Sequence, residues 1–345
     1  MKTQSPPNNS LSRRTPYHFK HQVQPLTAVN RVVVPPMASA TADSHGFVTT
    51  ATVAHYRRLA ESGAGIVFVE YSYVHSSGRS EAQQLAIDSD NKLPGLSEIA
   101  RAIHAAGARA GIQLVHAGGK STTELTSGPL LAPSPIAVPA KDRAFEVPAE
   151  MSTEQVALYQ KWFVESAGRA ERAGFDIVEL HAAHGYGLNQ WLSPLTNQRS
   201  DRYGDGHQGR ARMLVEILGQ IRATCGVGQL LAVRLPGQEH SHGGLSPSDV
   251  AGLVRELEHA RLVDLIDVSS GLGGWRRPEG RVGEGYLVPD AAKLKRTTAL
   301  PVIGVGGIES GEYIDHALSQ GWLDFAAIGR AILKDPAAWR AGVLP

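Results

Sequence analysis

Eight short apolar runs, each followed by a segment of helical period, repeat along this 345-residue chain. The runs fall at 31–34, 66–70, 110–115, 176–180, 230–235, 264–268, 301–305 and 324–328. The helical segments fall at 50–62, 94–106, 152–173, 208–224, 247–260, 288–297, 310–320 and 330–341. Short runs that are apolar on both faces are what parallel strands covered by helices require. Capping chemistry marks two of the helix starts, Ser152-Thr-Glu154 and Ser246-Pro247-Ser248-Asp249. Gly63, Gly107, Gly174 and Gly321 close helices just ahead of the next strand. With no internal linker, eight such units predict one closed (β/α)8 barrel, an α/β fold of the TIM type, rather than a doubly wound sheet. The domain then covers 26–345, behind a loose polar tail at 1–25 rich in Pro, Asn and Ser.

The spare sequence lies in three βα loops, at 116–151, 189–207 and 269–286. Loops at the C-terminal ends of barrel strands build the functional mouth, so these three are expected to form a cap over that face. Trp275, in the third, is a substrate or lid candidate.

Charged residues make up 19% of the chain and the formal net charge is +1, which gives no reason to expect nucleic acid as a partner. No run approaches the roughly 18 apolar residues of a membrane-spanning helix. The single Cys225 excludes a disulfide framework and a four-cysteine cluster within one chain. Ser12-Arg13-Arg14 has no apolar stretch behind it, so the expectation is a cytoplasmic protein acting on a small molecule. A homo-oligomer is compatible with all of this.

The fourth run leads directly into His181-Ala-Ala-His184-Gly-Tyr186. Two imidazoles and a phenol at a strand's C-terminal end suit holding a carbonyl oxygen while a hydroxyl delivers a proton. After runs seven and eight come Gly304-Val-Gly-Gly-Ile308 and Ile328-Gly-Arg-Ala331. Gly306, Gly307 and Gly329 permit close backbone approach to a phosphate, and Arg330 supplies a bidentate cation. Gln113 and Arg234 sit inside apolar runs, where an amide and a guanidinium are costly without partners. A flavin would satisfy both, while a core Gln satisfied by the protein is the plainer alternative.

Six segments resemble those of the Old Yellow Enzyme family, FMN-dependent NAD(P)H:ene-reductases. They are Asn30-Arg-Val-Val-Val-Pro-Pro-Met37, Ile112-Gln-Leu-Val-His-Ala-Gly118, Gly174-Phe-Asp-Ile-Val-Glu-Leu-His-Ala-Ala-His-Gly-Tyr186, Ser193-Pro-Leu-Thr-Asn-Gln-Arg-Ser-Asp-Arg-Tyr-Gly204, Asp264-Leu-Ile-Asp-Val-Ser-Ser-Gly271 and Ile328-Gly-Arg330. They follow in family order from about residue 30 to 336, most like the bacterial branch with a short C-terminus. The resemblance implies tightly bound, non-covalent FMN reduced by NAD(P)H. It implies that Pro35, Pro36, Met37 and Ala38 line the flavin, that Gln113 and Arg234 bind its ring, and that Gly306, Gly307, Gly329 and Arg330 take its phosphate. His181 and His184 would hold the carbonyl oxygen of an α,β-unsaturated substrate, and Tyr186 would protonate its α-carbon.

Ala38 stands where the family usually has Cys or Thr, Ala40 where Tyr is frequent, and Gly119 where Arg is common. Tyr71 replaces a small residue near the isoalloxazine and is expected to refill the volume around Ala38 and Ala40. Three other readings remain at this stage. One is a flavin-dependent desaturase or isomerase on the same site, and another a flavin-binding protein without turnover. The third is a metal-dependent barrel hydrolase or aldolase with His181 and His184 as ligands and His116 as a third, although the expected metal content is none.

Overall fold

Apolar residues at every position of a strand leave it no solvent face, and this chain covers both faces of each of its eight. A computed structural model describes residues 11–20, 26–140, 143–225 and 228–344. Its barrel strands are β1 Val32–Val34, β2 Ile66–Tyr73, β3 Arg109–Val115, β4 Ile177–His181, β5 Leu230–Pro236, β6 Leu265–Ser269, β7 Val302–Gly304 and β8 Phe325–Ala327. All pair in parallel, and β8 closes the ring onto β1 with Ala326 opposite Val32. The outer helices are α1 Thr50–Ala60, α2 Leu93–Ala105, α3 Thr153–Ala173, α4 Gly206–Thr224, α5 Pro247–His259, α6 Val288–Lys295 and α7 Gly311–Ser319, followed by α8 Arg330–Lys334 and α9 Pro336–Val343. The expected (β/α)8 barrel is the fold found.

Two apolar cores hold it. One lies between barrel and helices, and the other fills the lower barrel with Val33, Ile66, Phe68, Ile177, Leu265, Ile303 and Phe325. Because strand side chains alternate with period two, Ile177, Glu179 and His181 climb the interior along β4. The lower barrel is therefore apolar, the next layer polar, and the top carries the imidazole. Ser152 and Ser246 form capping boxes at α3 and α5, as their sequences predict.

Three expectations need correction. Residues 11–20 are folded rather than part of a loose tail: Tyr17–His18 pairs with Thr27–Ala28, and Phe19 stacks on Phe325 with ring centroids 5.6 Å apart. Arg13 also forms an ion pair with Asp315, so this segment stoppers the bottom of the barrel; the rest of the expected tail lies outside the described residues. The helix expected at 330–341 is two helices. Pro336 cannot donate to the first and instead opens α9, capped by Asp335, which accepts from Ala338 N at 3.0 Å. Finally, β2 continues past residue 70 to Tyr73, with its register against β3 shifting between Val69 and Ser72. Among the described residues no helix is long and apolar enough to cross a membrane.

Candidate active site

The turn after β4 owes its shape to two left-handed residues. His184 has φ 58° and Gly185 φ 76°, and a methyl at Gly185 would lie 3.0 Å from Leu272 O. His is among the non-glycine residues that tolerate this conformation, at a modest cost repaid by the site it builds. The chain reverses and both imidazoles face the mouth, with His181 and His184 ring centroids 4.9 Å apart and His181 and Tyr186 5.0 Å apart. Hydrogen bonds from below fix the turn: Gly185 N donates to Asn189 Oδ1 at 2.8 Å and Gln190 Nε2 to Gly185 O at 2.7 Å.

The three groups open onto a cavity of about 400 Å³, a volume typical of small-molecule sites. Of the residues singled out from sequence, Pro35, Pro36, Met37, Ala38, Tyr71, His181, His184, Tyr186, Arg234, Trp275, Gly307, Gly329 and Arg330 line it. Gln113 and Gly306 do not. Gly306, at φ 132°, lets the backbone pass where a Cβ would meet Leu287 N at 2.7 Å. Of the three long loops, the second contributes no lining residue; Asn189 and Gln190, which brace the His turn, come from its start and the short helix there.

Gln113 is buried one layer below the cavity and donates to Glu179 Oε1 at 2.7 Å, leaving its own Oε1 without a partner. Arg234 has an anionic partner in the protein itself, Asp267 on the neighbouring strand, Nε to Oδ2 2.9 Å, besides facing the cavity. Burial pushes the Glu179 carboxyl well up, and Asp267 beside it adds to the effect. Burial raises the Asp267 carboxyl as well, with Arg234 opposing the shift, so two carboxyls share one guanidinium.

Burial pushes both His181 and His184 well below the usual imidazole range, and the cations Arg234 and Lys120 act in the same direction. Both rings are neutral at pH 7. His184 Nε2 lies 2.6 Å from Ser269 Oγ, while His181 Nδ1 is buried with no partner. Burial also raises the Tyr186 phenol, which stays protonated. Lys120, bonded to His184 O and 5.0 Å from the Tyr186 ring centroid, is pulled down to about 8 by burial and by Arg143 and Arg276. Tyr71 turns its hydroxyl to Glu81 and its ring to Tyr186 at 5.4 Å.

Sequence reasoning missed Glu81, Lys120 and Ser269. Ser269 had a signal, because period two along β6 puts it on the same inward face as Asp267. His116, the third ligand of the metal-dependent reading, does not join the pair. Its Nε2 contacts Ser77 Oγ at 3.0 Å, its Nδ1 accepts from Gly118 N at 3.0 Å, and its ring stacks on Trp162.

The model of the NADH:flavin oxidoreductase / NADH oxidase family matches residues 20–340. The chain belongs to this family, that of Old Yellow Enzyme. The NADPH dehydrogenase of Bacillus subtilis (strain 168) is 36% identical over 315 residues, covering 91% of this chain and 90% of that one. The old yellow enzyme homologue from Zymomonas mobilis superposes with a TM-score of 0.80 at 23% identity, over 95% of this chain and 91% of its own. 2-Naphthoyl-CoA reductase superposes with a TM-score of 0.88 at 23% identity over 95% of this chain, which spans 51% of that larger protein. The chain is accordingly an FMN-dependent oxidoreductase with NAD(P)H as reductant.

The donor set of this Old Yellow Enzyme relative fits FMN. Pro35, Pro36 and Met37 offer an apolar wall, Arg234 a cation, and the orphaned Gln113 Oε1 an unused acceptor beneath the cavity. Gly307 and Arg330 lie together at the far end, where a methyl on Gly307 would stand 3.7 Å from Arg330 Nη2.

Proposed function

We propose that this enzyme reduces the carbon–carbon double bond of α,β-unsaturated carbonyl compounds. The observation that carries the reading is the edge-to-edge cluster of two neutral imidazoles and a protonated phenol on the wall of a flavin-sized cavity. Bound FMN supplies two-electron hydride chemistry between NAD(P)H and the substrate's β-carbon.

The protein's part is positional and electrostatic. Neutral His181 and His184 each carry one N–H, and both donate to the substrate's carbonyl oxygen. Those hydrogen bonds strengthen as negative charge develops on that oxygen, which lowers the barrier rather than only tightening binding. Arg234 and Lys120, on the same wall, favour the same charge. Tyr186 delivers its phenolic proton to the α-carbon as general acid. Pro35, Pro36 and Met37 keep water from the reacting face, and Gly307, Gly329 and Arg330 hold the cofactor's phosphate.

The test is Tyr186→Phe, studied by rapid mixing in both half-reactions. Flavin reduction by NADPH should be nearly unchanged. Reoxidation by 2-cyclohexenone should slow on the order of 10²–10⁴, the range for removing a positioned general acid. Equal slowing of both half-reactions would show that Tyr186 shapes the cavity and donates no proton.

A further inference from the structure

A phenol that gives its proton to carbon is left as phenolate, and here it would be left in a buried place. The Tyr186 hydroxyl must be reprotonated before the next turnover. Burial, which opposes the phenolate, makes the route for that proton a structural question.

The chain supplies a route through Tyr71. Tyr71, on the irregular stretch of β2, donates its hydroxyl to the Glu81 carboxylate. The Tyr71 ring lies beside that of Tyr186, with centroids 5.4 Å apart and planes 35° from parallel, and each phenol shifts the ionisation of the other. Glu81 is partly exposed and borders both the main cavity and an adjoining vestibule of about 310 Å³. Phenol, phenol and carboxyl thus adjoin one another, and Glu81 borders both cavities.

We propose that Glu81 and Tyr71 form a proton relay that returns a proton from solvent to Tyr186 after each turnover, an inference that rests on Tyr186 being the proton donor. The Tyr71 O–H bond breaks as an O–H bond forms on the Tyr186 phenolate. Glu81 first takes a proton from water, and the Tyr71 oxygen then takes that proton from it, which leaves Glu81 once more the acceptor of the Tyr71 hydroxyl. No electrons move, and the net change is one proton carried from solvent to Tyr186. Tyr71 is therefore more than a filler of vacated volume. The rival donor is Lys120, whose ammonium lies over the Tyr186 ring face and is bonded to His184 O rather than to the phenol oxygen. Ser80, Arg143 and His181 also approach Tyr186, but none of them connects it to a carboxyl at the mouth.

The experiment compares the Glu81→Gln, Glu81→Ala, Tyr71→Phe and Lys120→Gln holoenzymes with NADPH and 2-cyclohexenone, following single and multiple turnovers in H2O and D2O. The first reoxidation draws on the proton Tyr186 already holds, so the deficit in Glu81→Gln and Tyr71→Phe should appear from the second turnover. Steady-state turnover should fall about 10- to 100-fold, at the lower end of what positioned proton transfer contributes, with a larger solvent isotope effect. Sodium formate, small enough for the vestibule, should restore turnover in Glu81→Ala. Unchanged turnover in Glu81→Gln would overturn the relay, as would a loss that formate does not restore or a deficit confined to Lys120→Gln. Failure of the underlying reading would look different, because Tyr186→Phe would then leave the first reoxidation intact.

Discussion

The Nε2 atom of His184 lies 2.6 Å from the hydroxyl of Ser269, and this contact decides how the His184 ring is presented. With Nε2 engaged by β6, Nδ1 is the nitrogen left for a ligand. Since the ring is neutral, a His184 that donates from Nδ1 to a ligand requires the Ser269 hydroxyl to be the donor at Nε2.

Replacing Ser269 by Ala should let the ring rotate and change tautomer. The expected cost is about 1 kcal/mol, or roughly fivefold, in the affinity for a carbonyl ligand. It should be read as a rise in the dissociation constant of the enone during reoxidation, with reduction by NADPH unchanged. If the two half-reactions weakened together, Ser269 would be packing the cavity wall and not orienting His184.

His116 gives a pH dependence with a definite sign. Burial, with His75 adding to it, lowers this imidazole from 6.5 to about 3. The folded protein therefore binds fewer protons at His116 than the unfolded chain does between those values. The stability conferred by the neutral ring is complete above pH 6.5 and is lost as pH falls towards 3. At pH 5 the loss is about 2 kcal/mol, from roughly 1.36 kcal/mol per pH unit. His116→Gln does not titrate, so its stability should fall by about that much less than wild type between pH 7 and pH 5 in urea unfolding. Parallel curves for the two proteins would mean that His116 keeps the same pKa in the fold as in the unfolded chain.

The barrel was legible because each strand is buried on both faces, and burial of that kind writes a short apolar run. The His181–Tyr186 turn was legible too, since a strand's last residues identify the mouth before any coordinates are known. Asp267 as the partner of Arg234 was not, because it depends on the register that sets residue 267 of β6 beside residue 234 of β5. Glu81 belongs to the loop after β2 and reaches the mouth only through the path of that loop, for which no local pattern exists. Two misses did have signals: Pro336 should have ended the last predicted helix, and Tyr17 and Phe19 should have marked the supposed tail as chain with something to bury.

Ala38 remains the departure with the clearest electronic consequence. Its methyl lies on the cavity wall beside Pro36 and Met37, where the resemblance leads one to expect Thr or Cys. The neighbouring Ser39 hydroxyl does not compensate, because it is committed to Glu70 and contacts Thr41 Oγ1 at 2.7 Å. Ala38→Thr would place a hydrogen-bond donor against the bound cofactor, and such a donor favours the electron-rich reduced form. One hydrogen bond of about 1–1.5 kcal/mol corresponds to roughly 20–30 mV for a two-electron couple. The variant's midpoint potential should rise by that amount in a titration against a reference dye, with faster reduction by NADPH and slower reoxidation by the enone. Equal potentials in the two proteins would show that another group already supplies the donor, which would locate the tuning of this flavin elsewhere in the cavity.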